Sequence, residues 1–165
     1  MVTFDEVGFR LVPTYHRVWA PKNSRPKGIF FWSNKKTNMI GALIDGKKLH
    51  YEWNDSLNTV TFYFFLERFL KKHPRKKYLF IMDNVGYHKT SPIKELLEKH
   101  AHRIKIEYLP TYSPELNPTE TCWKIIRNNV TNSTYYTTLQ KLKSEIDKFN
   151  QKQFFKLNVL NYLCP

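Results

Sequence analysis

The stretch 78-YLFIMDNVGYHKTSPIKELLEKHAHRIKIEYL-109 decides the fold. Tyr78–Met82 is a continuous apolar run, the pattern of a strand covered on both faces. Ser91-Pro92 opens a helix that runs through Glu98, and Ile104–Leu109 repeats the strand pattern. Strand, helix and strand in that order predict a right-handed parallel crossover. In an open sheet with parallel strands, ligands bind beyond the carboxyl ends of the strands, and Asp83 falls there. The pair Asp83-Asn84 also suits a plain turn.

Working outward toward the N-terminus, Val2–Phe9, Tyr15–Ala20, Gly28–Trp32 and Asn38–Ile44 are short and rich in β-formers, with Pro, Gly, Asn and Ser between them. They predict an antiparallel meander, to which Tyr51–Asp55 adds one more extended piece. Leu57–Lys72 has apolar residues near helical spacing and ends at His73-Pro74, so a helix is predicted there. Toward the C-terminus, residues 110–118 form a Pro- and Ser-punctuated loop. Asn117-Pro118 then opens a helix with Trp123, Ile126 and Val130 on one face, and further helices are expected over 137–163, where Leu139, Leu142, Ile146 and Phe149 recur at steps of three and four. The whole reads as an α/β chain, one domain over 1–165, with a mixed sheet (antiparallel meander followed by parallel strands) flanked by helices.

The 165 residues, 41% hydrophobic and 16% aromatic, suffice for one buried core. The balance of 27 Lys+Arg against 14 Asp+Glu gives a net charge of +13, which points to a polyanionic partner, nucleic acid ahead of a membrane. The bland alternative is a solvated surface. Cys122 and Cys164 form no CxxC, so neither a disulfide framework nor a zinc site is indicated. No cationic-then-apolar leader opens the sequence, and no run reaches the roughly 18 apolar residues of a membrane span. The expectation is an intracellular protein that is neither secreted nor membrane-bound.

In so basic a chain the placement of acids is informative. Asp5 lies within the first strand, where a charge is costly unless it meets a cation or a partner. Its neighbour Glu6 is expected on the opposite face. Glu120 stands at a helix start, where Asn117-Pro-Thr-Glu120 also matches a capping box. Three carboxylates without a convergent His/Cys set suit a hard divalent cation, and a pair of such ions can activate a water or hydroxyl and stabilise the leaving oxygen of a phosphodiester.

The segments "DNVGYH", "YLPTYSPELNPTE" with the following "TCW", and "FDEVGF" resemble the catalytic domain of mariner-type transposases and their prokaryotic insertion-sequence relatives. The resemblance runs from Phe4 to about Val130 and includes "RVWAPK" and "NMIGALIDG" in order. It implies a ribonuclease H-like fold and an Asp-Asp-Glu triad of Asp5, Asp83 and Glu120, catalytic and metal-binding, that holds two Mg²⁺ or Mn²⁺ ions. Between Asp83 and Glu120 lie 36 residues, close to the family interval. Asn84 and His88 match an Asp-Asn-x-x-x-His pattern, in which His88 orients the site or touches DNA; a structural histidine is the alternative. Arg127, seven residues after Glu120, is expected on the same helix face, near a phosphate, with a plain surface arginine as its alternative. Trp123 reads as core, Tyr112-Ser113-Pro114 as a loop that aims the Glu120 helix, and His100 and His102 as a solvated helix end.

The implied function is cut-and-paste transposition by two-metal-ion DNA cleavage and strand transfer. The partners are transposon-end and target DNA, the latter at a TA dinucleotide, with a homodimer as the assembly. Family members carry a helix-turn-helix DNA-binding region ahead of this domain, so end recognition is expected from an upstream region or a separate chain. The alternatives are a catalytically idle DNA-binding or dimerisation remnant and another ribonuclease H-like nuclease.

Overall fold

The computed structural model describes residues 1–12, 21–24, 33–132 and 134–163. Five strands, β1 (Val2–Arg10), β2 (Lys36–Ile44), β3 (Lys48–Asn54), β4 (Tyr78–Met82) and β5 (Ile104–Tyr108), form one mixed sheet in the order β3-β2-β1-β4-β5. β1, β2 and β3 are antiparallel neighbours, whereas β4 runs parallel to both β1 and β5. The expected strands Tyr15–Ala20 and Gly28–Trp32 lie outside the described residues.

Alternation along β1 divides the core. Val2 and Phe4 face α1 (Thr59–Lys72) and α2 (Ser91–Glu98), where the Phe4 ring meets Phe62, Phe65, Phe69 and Phe80 at centroid distances of 4.7–6.4 Å. Val7 and Phe9 face α3 (Pro118–Ile126) and α4 (Leu139–Lys152), packing with Trp123, Ile126 and Ile146. α1 starts at Thr59 because the Asn58 side chain accepts from the Val60 and Thr61 amides, a reciprocal cap with Thr61. β2 and β3 are joined through Asp45-Gly46, both at positive φ (51° and 67°), which matches the twist of a tight hairpin. A Cβ on Gly46 would lie 1.9 Å from the Leu157 carbonyl oxygen, because the segment after α4 is strapped over this turn by Phe155 N–H to Lys47 O and Leu157 N–H to Gly46 O bonds of 2.9 and 3.0 Å.

The sheet thus has two poles. The carboxyl pole, beyond Met82 and Tyr108, receives the 83–90 and 109–117 loops and the start of α3. The amino pole, before Tyr78 and Ile104, carries the ends of α1 and α2 and the Asp45-Gly46 turn. No helix among the described residues is long and apolar enough to cross a membrane.

Candidate active site

Continuing the β1–β4 register of Val2 opposite Phe80 and Thr3 opposite Ile81 brings Asp83 alongside Asp5, just past the last ladder pair. α3 delivers Glu120 in its first turn. Two of its residues grip β1: Asn117 Nδ2 donates to Phe4 O (3.0 Å), and the Thr119 hydroxyl donates to Thr3 O (3.1 Å) and lies 2.6 Å from the Thr3 hydroxyl. Asn117 also caps the helix by accepting from the Thr119 amide at 3.1 Å. The Glu120 side chain makes no hydrogen bond to the Asn117 amide, which instead donates to Pro114 O at 3.0 Å. The capping-box reading of Glu120 is therefore replaced by an Asn117 cap that leaves the carboxylate free to face Asp5.

Asp5, Asp83, Asn84 and Glu120 line one cleft of about 420 Å³, with Val85 and the loop 109–114 as its outer wall. Asp5 is 8% exposed and accepts 2.8 Å from the Trp123 indole N–H. Burial, then repulsion from the Glu120 and Glu6 carboxylates, pushes its pKa up to about 8 against the opposing pull of the indole bond. Trp123 is buried in the core as expected, yet it also holds a candidate site carboxylate. It can lie there because β2 has Gly41 opposite Asp5, and a Cβ on Gly41 would come within 2.4 Å of the indole.

Glu6 was expected to point away from this site, and the structure corrects that. Alternation is kept, since Glu6 lies on the Phe4 face with His88 and Phe62 while Asp5 lies on the Trp123 face, but no β4 residue pairs with β1 this far along and the Glu6 carboxylate comes close to the site. Its carboxylate oxygens, with those of Asp5 and Asp83, form a set within 4.8 Å of one another that could hold a metal ion. Between Glu6 and Asp83 sits His88, fully buried, with Nε2 3.0 Å from Glu6 Oε1 and Nδ1 2.7 Å from Asp83 Oδ1. The second contact is a close ion pair whose angle falls outside good hydrogen-bond geometry. Burial alone would depress the His88 pKa, but Asp83 and Glu6 outweigh it and raise it to about 9, so the ring is an imidazolium at neutral pH. Its face lies on Phe62, with ring centroids 4.0 Å apart. Complete burial keeps His88 from direct DNA contact, and a ring held between Glu6 and Asp83 fits both the orienting and the structural reading.

Asn84 lines the cleft and accepts from the Lys89 ammonium. Arg127 does not join it. It is exposed, donates to Gly8 O at 3.3 Å and lies over the Phe9 ring at 5.9 Å. Arg127 keeps α-helical angles, with its amide bonded to Trp123 O, so the helix is continued to this residue; its guanidinium turns to Gly8 and Phe9 on β1 and does not line the cleft. Asp5, Asp83 and Glu120 face one partly desolvated cleft, Glu6 and Asp83 flank the His88 ring, and oxygen donors of this kind fit Mg²⁺ or Mn²⁺.

Residues 1–143 match the profile of the DDE superfamily endonuclease family. An uncharacterised 39 kDa protein of insertion element IS630 from Shigella sonnei is 24% identical over 147 residues, which cover 88% of this chain and 43% of that protein. Among solved structures, a chain of a pre-cleavage Mos1 transpososome superposes with a TM-score of 0.74 at 16% identity, covering 98% of this chain and 50% of the other. The catalytic domain of Mos1 mariner transposase does so with a TM-score of 0.61 at 20% identity, covering 98% and 73%. These likenesses establish the ribonuclease H-like fold. The chain spans about half the length of the longer relatives it matches.

Proposed function

The chain belongs to the DDE superfamily endonuclease family, and from that premise we propose that it is the catalytic domain of a transposase that cuts DNA at the ends of a mobile element and joins the freed strand to a target. The observation that carries this reading is the convergence of Asp5, Asp83 and Glu120, from two strands' neighbourhoods and a helix start, on one cleft. These three carboxylates would hold two divalent ions, Mg²⁺ or Mn²⁺, which when bound would supply Lewis acidity for the attacking hydroxyl and charge for the leaving oxygen.

The chain's own residues do the rest. His88 fixes the orientation of Asp83 and is itself fixed by Glu6; the Trp123 indole orients Asp5. Asn117 and Thr119 hold Glu120 at a constant distance from β1, so the carboxylates are arranged before substrate arrives. Asn84 and the 109–114 loop border the path of the DNA strand. The partner is DNA, an element end and then a target such as a TA dinucleotide. End recognition comes from a DNA-binding region upstream or on a separate chain, and two copies act together on the paired ends.

The test is nicking of short duplex DNA with Mg²⁺ or Mn²⁺ by the wild-type protein and by Asp83→Asn. The substitution removes a metal ligand and a negative charge that repels the phosphate backbone, so cleavage falls by at least about 10³-fold while DNA affinity stays equal or rises. A wild-type protein that never nicks under either ion, even with an upstream DNA-binding region attached, overturns the enzyme reading in favour of an idle DNA-binding module.

A further inference from the structure

The cleft does not use most of the positive charge of this molecule. The segments 71-KKHPRKK-77, at the end of α1, and 99-KHAHRIK-105, at the end of α2 and the start of β5, meet at the amino pole beside Lys47 and Lys48 of the β2–β3 turn. Arg103 ties them together by donating to His73 O at 2.7 Å and Leu70 O at 3.3 Å. Lys71 is paired with Glu67 and Lys105 with Glu107, both at 3.1 Å. Lys47, Lys48, Lys72, Arg75, Lys76 and Lys77 are exposed and have no acidic partner among the described residues. These cations are mutually close: besides partial burial, Lys76, Lys72 and Lys48 hold the His73 pKa below its ordinary value, and Arg103, His102 and Lys99 do the same for His100.

We propose that this amino pole is a second docking surface for the phosphate backbone of duplex DNA, separate from the catalytic cleft. The proposal rests on the endonuclease reading for its premise that DNA is the partner. β4, five residues long, separates the poles by roughly 15 Å at a rise of about 3.3 Å per residue. That exceeds the Debye length of about 8 Å at physiological salt, so these lysines do little for a phosphate in the cleft and act on backbone that touches the pole itself. Clustered like charges from three segments destabilise one another until a polyanion relieves them, and duplex DNA presents about one charge per 1.7 Å. Neither charged segment exposes a large apolar side chain that could anchor a protein partner: Ile104 is buried, and Phe154, the exposed aromatic beside Lys47, belongs to the strap after α4 and to neither segment. One duplex held at the cleft and another stretch of backbone held at the amino pole would give the chain simultaneous grip on two DNA segments.

The experiment is a salt titration of binding to a fluorescein-labelled 30-base-pair duplex, followed by anisotropy between about 50 and 200 mM salt. It compares wild type with the fourfold variant Lys72→Gln, Arg75→Gln, Lys76→Gln, Lys77→Gln. Each lost phosphate contact removes about 0.9 from the slope of log K against log salt, so the variant's slope is expected to be flatter by about 3 to 4, with nicking per bound duplex unchanged at saturating protein. A second variant on the other segment, Lys99→Gln with Lys105→Gln, is expected to flatten it by about 1 to 2. Wild-type slopes in both variants overturn the proposal. So does a fourfold variant that loses binding to polyglutamate while keeping its slope on DNA, which would assign the pole to an acidic protein. A flattened slope in a protein that never nicks sinks the endonuclease reading alone, and unchanged slopes with intact nicking sink only the second surface.

Discussion

At the carboxyl pole Asp5, Asp83 and Glu120 share a partly closed cleft, with Trp123 holding Asp5 and the His88 imidazolium, behind the cleft, held between Asp83 and Glu6. At the amino pole the lysines stand in water, and six cations there lack an acidic partner among the described residues. Buried charges depend on one another, so a single change at the carboxyl pole leaves a partner uncompensated in low dielectric. Exposed charges add almost independently, and removing one costs little stability. The difference teaches where geometry is required, at the carboxylates, and where only total charge is.

The sharpest break of that contrast is His88→Ala. It leaves Glu6 and Asp83 facing each other without the cation between them and opens a hole against Phe62. A loss of about 3–5 kcal/mol is expected by chemical denaturation, against less than about 0.5 kcal/mol for Lys76→Ala at the other pole. Equal small losses would show that the carboxylates are not interlocked. Gly41→Ala comes next. Its Cβ must push the Trp123 indole off Asp5, so a loss of about 1–3 kcal/mol with a shifted tryptophan emission is expected.

A third expectation concerns a histidine on the amino-pole side. His50, its Nε2 buried without a partner, lies against Phe65 and Phe69, and burial, then Lys72, holds its pKa down to about 4; His73 and Arg68 act in the same direction and Glu52 opposes them. The unfolded chain protonates this ring near 6.5, before the folded one does, so its contribution to stability is complete above that pH and is lost as pH falls from 6.5 to 4. His50→Phe is expected to remove on the order of 1–2 kcal/mol of the acid loss over that window, read as the difference between two denaturation-versus-pH curves. Parallel curves would refute it. The smallest effect is a gain: Tyr112, fully exposed at φ 57° in the cleft wall, holds a conformation that suits glycine, so Tyr112→Gly should raise stability by about 0.5–1 kcal/mol in a thermal melt.

Much of the fold is legible in the sequence because local patterns govern it. Tyr78–Met82 and Ser91–Glu98 end where the apolar run and the Ser-Pro start indicate, and Ile104–Tyr108 falls one residue short of Leu109. α1 begins at Thr59 rather than Leu57 because the Asn58 cap is a local signal weaker than the apolar spacing around it. β3 extends back to Lys48, beyond the expected start at Tyr51, because Asp45-Gly46 makes a tight hairpin turn. The site was legible in residue type but not in its supports. Strand alternation puts Glu6 on the far face, where His88 meets it, and only the end of the β1–β4 ladder lets its carboxylate come within 4.8 Å of those of Asp5 and Asp83. Asn117 and Thr119 look like helix-start residues, and their grip on Phe4 and Thr3 spans more than a hundred residues, beyond any local pattern. Arg127 keeps the helical angles its placement assumed, and its contacts with Gly8 and Phe9 on a distant strand, which no local pattern reveals, decide where the guanidinium lies.

The strap that runs from Phe155 to Leu157 over the Asp45-Gly46 turn has a kinetic meaning. A hairpin that forms early, from residues close in sequence, is closed by backbone bonds to a segment about 110 residues later, and the absence of a Cβ on Gly46 is what lets that carbonyl approach. Local pairs form fast and long-range ones wait for loop closure, so the amino pole is expected to assemble in two stages, the turn first and its cover once α4 has docked. During synthesis on the ribosome, the β2–β3 ribbon therefore emerges about 110 residues ahead of its own cover, and the strap acts as a late latch on an early hairpin.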